Sequence, residues 1–223
     1  MKTILILVLG LLPGLAGASE LSVLAAKLHA IAQDNTRVSD AVERGRERTA
    51  LCVYCHGADG ISNRKYIPNL AGQTPTYLLK QMLNFSGGER KSDVMQPLAA
   101  RMTKDDMIDV AIYYSRMANK AAAEHDLQTY DARLASRGKP IYQAKCANCH
   151  GVSGRGGGAF PQLAGQKVDY VLNTLKMFAA PTSERDNALL YNAARSNPQM
   201  VSVLKQLDAR QIRAVANYIA ILH

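Results

Sequence analysis

No cysteine of this chain stands outside two five-residue frames, and each missing feature around them closes off a class of protein. No run of lysines or arginines occurs, so the basic balance gives no nucleic-acid footprint. No alternating strand pattern of useful length appears, which excludes a sheet and leaves an all-α protein. After the first eighteen residues no stretch is apolar and long enough to span a bilayer. With four cysteines all committed to the two frames, no thiol remains for a disulfide framework.

The frames are Cys52-Val53-Tyr54-Cys55-His56 and Cys146-Ala147-Asn148-Cys149-His150. C-x-x-C-H is the attachment pattern of c-type haem. Cys52 and Cys55, and Cys146 and Cys149, would each add across the vinyl groups of one haem. His56 and His150 would then reach the irons from the proximal side. A thioredoxin-like C-x-x-C needs a βαβ context, and a zinc site needs a fourth ligand at finger spacing; neither surrounds these motifs. The chain is thus expected to carry two covalent haem c groups.

At the N-terminus, Lys2 precedes an apolar run from Ile4 to Leu12, then Pro13, Gly14 and Ala16-Gly17-Ala18. This is the order of a secretory leader, residues 1–18, with cleavage after Ala18. The competing reading is an uncleaved anchor, but a bilayer needs about 20 apolar residues. Export from the cytoplasm is the expectation. The formal charge of +9 falls by one with Lys2. A mildly basic surface suits steering toward an acidic redox partner and is equally an ordinary soluble surface.

Aligning the frames exposes an internal repeat. Cys52 matches Cys146 at an offset of 94, and Pro68-Asn69-Leu70-Ala71-Gly72-Gln73 matches Pro161-Gln162-Leu163-Ala164-Gly165-Gln166 at 93. Tyr77 matches Tyr170, and Phe85 matches Phe178. Met95 and Met200, like Tyr113 and Tyr218, match at 105, so residues 181–198 hold an extra polar loop in the second copy.

Each copy should contain a helix before the motif (40–51 and 130–145), a middle helix (75–85 and 167–178) and a last helix. In the last helix Met107, Val110, Ala111 and Tyr114 match Ile212, Val215, Ala216 and Ile219 on one apolar face. Thr103 and Asp208 cap its two copies. The implied domains are an N-terminal extension, probed by its helical pattern at 19–38, a first domain at 39–119, a linker at 120–130 and a second domain at 131–223.

The repeat also selects among candidates for the sixth iron ligand. Met82, Met102, Met107, Met117 and Met177 face non-methionine residues in the other copy and read as core fillers. Only Met95 and Met200 coincide. Each is expected in a loop before the last helix, beside Pro97 or Pro198. His29, His125 and His223 have no counterparts. Pro68 and Pro161 either accept the second ring N–H of each proximal histidine or only shape a turn. Arg90 and Arg185, each following a glutamate, either pair with a haem propionate or lie solvated.

With these residues in view, the chain resembles tandem class I cytochromes c, and most closely the dihaem cytochrome c4 family. The carrying segments are 52–60, 68–73, 85–90 with Met95, and Ala-Val-Ala-Asn-Tyr-Ile at 214–219; together the resemblance spans about residues 40–223. It implies two His/Met haems, a pseudo-twofold between domains, and transfer between facing haem edges. It also implies an electron-transfer protein, not an enzyme, carrying electrons in the periplasm from a quinol-oxidising complex or a dehydrogenase toward a terminal oxidase. It leaves room for peripheral membrane association. The alternative is the electron-accepting subunit of a periplasmic dehydrogenase, resembling the dihaem subunit of flavocytochrome c sulfide dehydrogenase, with 19–38 as a docking element. One departure stands out. Gly45 to Cys52 is one residue shorter than Gly138 to Cys146, so the first leading helix could sit differently.

Overall fold

The computed structural model describes residues 19–120, 130–180, 195 and 197–222. The expected leader, most of the linker and most of the insertion at 181–198, Arg185 included, lie outside these. Among the described residues the protein is all-α, with one isolated bridge between Gly157 and Phe160.

The first domain holds α1 (Glu20–Ala32), α2 (Asn35–Arg48), α3 (Val53–His56), α4 (Pro75–Gly87), α5 (Met95–Ala100) and α6 (Lys104–Arg116). The second holds α7 (Ala132–Lys145), α8 (Ala147–His150), α9 (Val168–Ala179), α10 (Pro198–Leu204) and α11 (Ala209–Ala220). Local chemistry sets the boundaries. Pro75 opens α4 at its first position, where a missing N–H costs nothing. Thr103 and Asp208 both close capping boxes, with Asp106 and Gln211. Asp34 and Asp131 cap α2 and α7 through two backbone N–H groups each.

The apolar faces expected for the last helices are the ones buried. Met107, Val110, Ala111 and Tyr114 lie within one core, and Ile212, Val215, Ala216 and Ile219 within the other. In each domain the motif-leading helix crosses the last helix at a glycine. A Cβ on Gly45 would lie 2.5 Å from Asp109 O, and one on Gly138 still closer to Ala214 O. Asp109 and Ala214 are repeat equivalents, so both crossings use the same register. The one-residue difference before the motif therefore does not reposition the leading helix. It is absorbed afterwards: α2 stops at Arg48 and three residues bridge to Cys52, whereas α7 continues to Lys145.

The region 19–38 differs from expectation in two ways. Its helix α1 ends at Ala32, and α2 begins at Asn35 rather than near Asp40, running through the boundary placed at 38/39. One face of α1 is packed on the first domain. Leu28 and Ile31 are buried in the first domain's own core, among Leu79, Met82 and Ile108. Burying two such side chains contributes about 1.5–3 kcal/mol each.

Candidate haem sites

Both motifs lie on a single helical turn that ends in a left-handed glycine. Cys52 and Cys146 are the N-cap residues of α3 and α8, Cys55 and Cys149 follow one turn on within them, and the chain turns away at Gly57 (φ 84°) and Gly151 (φ 80°). A Cβ at Gly57 would run into Ile61 O. The loop then returns along the histidine. His56 Nδ1 lies 2.9 Å from Pro68 O, and His150 Nδ1 lies 3.1 Å from Pro161 O. A ring N–H donated to a carbonyl fixes the tautomer and leaves Nε2 as the free lone pair. Of the two readings for these prolines, the acceptor role is the one observed. Both histidines are buried. Burial pushes each imidazole below its ordinary pKa against the pull of the proline carbonyl, keeping it in the neutral form a metal requires.

Cys52, Cys55 and Cys146 are half-buried and Cys149 is exposed. Burial raises Cys52 above the usual thiol range and pushes Cys146 up to about 11. A redox-active C-x-x-C relies on a depressed thiol pKa, and the leading cysteine of each frame is shifted the other way. The pairs fit sulfurs that end as thioethers against an apolar ring.

Met95 and Met200 are half-buried and occupy matching places, but within short helices rather than loops. Met95 is the first residue of α5, and Met200 the third of α10. Ser92 Oγ accepts from Met95 N at 3.2 Å, and Asn197 Oδ1 from Met200 N at 2.9 Å. These capped turns of six or seven residues are too short to leave a periodic pattern in the sequence. Of the other methionines, Met82, Met107 and Met177 are buried, and Met102 and Met117 pack against core residues.

Of the two readings for Arg90, the solvated one does not fit. Arg90 is buried, its guanidinium lies 4.3 Å over the Phe85 ring, and its Nη1 donates to Gln81 Oε1 at 2.8 Å. Its partner in the repeat is Arg195, 105 positions on, and not Arg185. Arg195 faces Phe178 at 5.7 Å and donates to Tyr170 at 2.8 Å and, across the domain boundary, to Tyr77 at 3.3 Å. The Glu-Arg pair at 184–185 imitates Glu89-Arg90 in sequence, while the offset of Met200 points to Arg195. Two cations thus sit together among phenols and an amide. Burial and the neighbouring Arg195 charge push Arg90 down to about 10, and its buried Nε finds no partner among the described residues. A buried guanidinium with an idle donor, beside a second that is half-buried, fits an anionic group, and haem propionates are such anions.

The domains interlock through the loops that hold the histidines. Gln73 Nε2 donates to Gln162 O at 2.9 Å, and its Oε1 accepts from Gln162 N at 2.7 Å. Gln166 does the same to Asn69, donating to its O at 2.6 Å and accepting from its N at 3.1 Å. Gln73 and Gln166 are equivalents, as are Asn69 and Gln162. Such reciprocal contacts are what an approximate twofold axis produces. Nothing in the spacing marked these glutamines as contacts; only their repetition, Ala-Gly-Gln twice, hinted at them.

A family model described as cytochrome c matches residues 135–222. Cytochrome c4 of Pseudomonas aeruginosa is 31% identical over 189 residues, covering 80% of this chain and 87% of that protein. The chain belongs to the cytochrome c4 family. The crystal structure of reduced recombinant cytochrome c4 from Pseudomonas stutzeri superposes with a TM-score of 0.67 at 28% identity, over 82% of this chain and 98% of that one. A thiosulfate dehydrogenase electron acceptor of Stutzerimonas stutzeri is 34% identical, over 76% of this chain and 77% of its own length. As a cytochrome c4, the protein carries two covalently bound haem c groups and is a dihaem electron carrier rather than an enzyme. No described helix is long and apolar enough to cross a membrane.

Proposed function

We propose that this cytochrome c4 shuttles single electrons in the periplasm through two His/Met haems, the first held by Cys52, Cys55, His56 and Met95 and the second by Cys146, Cys149, His150 and Met200. When bound, haem c supplies a one-electron iron couple. The chain's residues do the rest. Pro68 and Pro161 orient the proximal imidazoles. Arg90 and Arg195 would hold anionic propionates at the domain boundary. Met95 and Met200 would be the second protein ligands of the two irons, leaving substrate no place on either.

The observation that carries this reading is the interlock. Each proximal histidine hangs from a loop that is hydrogen-bonded to the other histidine's loop through Gln73 or Gln166. Two sites tied together this rigidly suit transfer between them with little rearrangement. Donors and acceptors of the matching chemistry are a quinol-oxidising complex or dehydrogenase on one side and a terminal oxidase on the other. The leader at 1–18 supports export.

Spectra of the ferric protein test the ligands. Methionine-to-iron charge transfer should arise from both haems, and Met95→Ala and Met200→Ala should each remove about half of it while creating one high-spin iron. A high-spin component in the intact protein would overturn the assignment. A second reading, the acceptor subunit of a dehydrogenase, is favoured by the similarity to the thiosulfate dehydrogenase electron acceptor. Recovery of a stoichiometric dehydrogenase on affinity purification from periplasm would decide for it over the freestanding carrier.

A further inference from the structure

One position breaks the symmetry of the interlocked loops. Lys167 follows Gln166 as Thr74 follows Gln73. Thr74 is neutral, and its hydroxyl donates to Phe160 O of the second domain at 3.1 Å. Lys167 is 9% exposed and extends the other way, donating through Nζ to Ser62 O at 2.9 Å and Asn69 Oδ1 at 2.8 Å. Both acceptors belong to the loop around the first motif. Ser62 Oγ donates to Cys55 O at 2.6 Å, and Asn69 follows Pro68, which holds His56. The second domain thus lends a buried cation to the first domain's proximal side. Near the second motif, Arg155 is exposed, where water screens its charge. Helix stability does not explain the lysine, because it stands at the N-cap of α9, where the helix dipole disfavours positive charge.

We propose that Lys167 is a tuning residue that raises the reduction potential of the first haem and makes it the preferred seat of a single electron in the half-reduced protein. This rests on the two-haem carrier reading above. Reduction lowers the positive charge on an iron by one unit, so a cation held in a low-dielectric interior favours the reduced form of the site it faces. The exchange is one electron from the second iron to the first, with no proton or bond involved.

Spectroelectrochemical titration of the holoprotein tests it. Lys167→Met should lower the higher of the two midpoints, reducing the first-to-second occupancy ratio of the half-reduced state at least about tenfold, which is 59 mV for a one-electron couple. Lys167→Arg, which keeps the charge, should leave the gap in place. Thr74→Lys should raise the lower midpoint. The proposal is overturned if Lys167→Met lowers the lower midpoint, moves both equally or moves neither. Haem content of the same samples separates the two claims: fewer than two haems per chain in the wild type would sink the carrier reading itself.

Discussion

The two domains are built from one pattern, yet they are stabilised and presented differently. The first is thickened by α1, whose Leu28 and Ile31 join its core, and it pairs Arg44 with the buried Asp109. The second has Ala214 where the first has Asp109, and it relies on Tyr142 and the aliphatic face of α11. Their motif surfaces differ as well. Leu51, Tyr54 and Val94 are exposed around the first motif and Met95, where the second domain has Lys145, Asn148 and Gln199. What stays constant is the motif turn, the proline carbonyl on the histidine, the methionine whose N–H is held by a side chain, and the arginine facing a phenylalanine. Divergence is thus confined to what supports a haem or faces a partner.

The largest test of this comparison removes a haem from one domain at a time. A copy of about 85 residues buries too little surface to be robust by itself, and the attached ring supplies apolar bulk. Cys52→Ala with Cys55→Ala, and separately Cys146→Ala with Cys149→Ala, should each halve the haem content and abolish the cooperative unfolding of that domain. Because α1 adds core only to the first, circular dichroism should show less helix lost there than in the second. Equal losses would break the comparison.

Leu28→Ala comes next. The side chain is fully buried, and truncation of such a leucine costs about 2–5 kcal/mol. The cost should fall on the first domain alone, lowering its thermal transition and leaving the second in place. A shift of both transitions would mean that the domains unfold as one unit.

The helix crossings should behave alike. Gly45→Ala and Gly138→Ala each push a methyl into a backbone carbonyl of the last helix, Asp109 O or Ala214 O. Overpacking of this kind costs about 1–3 kcal/mol. Similar losses in the two domains, read from denaturant midpoints, would confirm the shared register.

Much of this was legible in the chain because it is local or periodic. The motif frames, the capping of α6 and α11 by Thr103 and Asp208, and the buried face from Met107 to Tyr114 all follow from short-range rules. Met95 and Met200 were separable from the other methionines because two copies could be compared. The misses are non-local. Arg195 was hidden behind a Glu-Arg pair that imitates the repeat, and its stacking on Phe178 is visible only in three dimensions. Gln73, Gln166 and Lys167 act across a domain boundary from loops, where no periodicity marks a contact. The start of α2 at Asn35 depends on Asp34 as a cap, inside a stretch whose apolar pattern is weak.

The interlock offers a smaller effect. Gln73→Ala and Gln166→Ala each remove two hydrogen bonds to a backbone amide of the other domain. With a net worth of about 0.5–1.5 kcal/mol per bond, each should weaken domain coupling by about 1–3 kcal/mol, seen as a wider separation between the two unfolding transitions. The more buried Asn69–Gln166 contact should be the costlier to lose.

The smallest expected effect concerns the ion pair that only the first domain has. Arg44 donates to Asp109 through Nε at 2.7 Å and Nη2 at 2.9 Å, a two-point contact with the aspartate side chain 8% exposed and the arginine 50% exposed. Asp109→Ala recreates what the second domain already has at Ala214, and it leaves the arginine free to turn into water. The loss should be about 0–1 kcal/mol, as for exposed pairs. Arg44→Ala should cost more, because it strands a buried carboxylate without its partner. If the two substitutions proved equal in chemical denaturation, the pair would be acting as a surface contact.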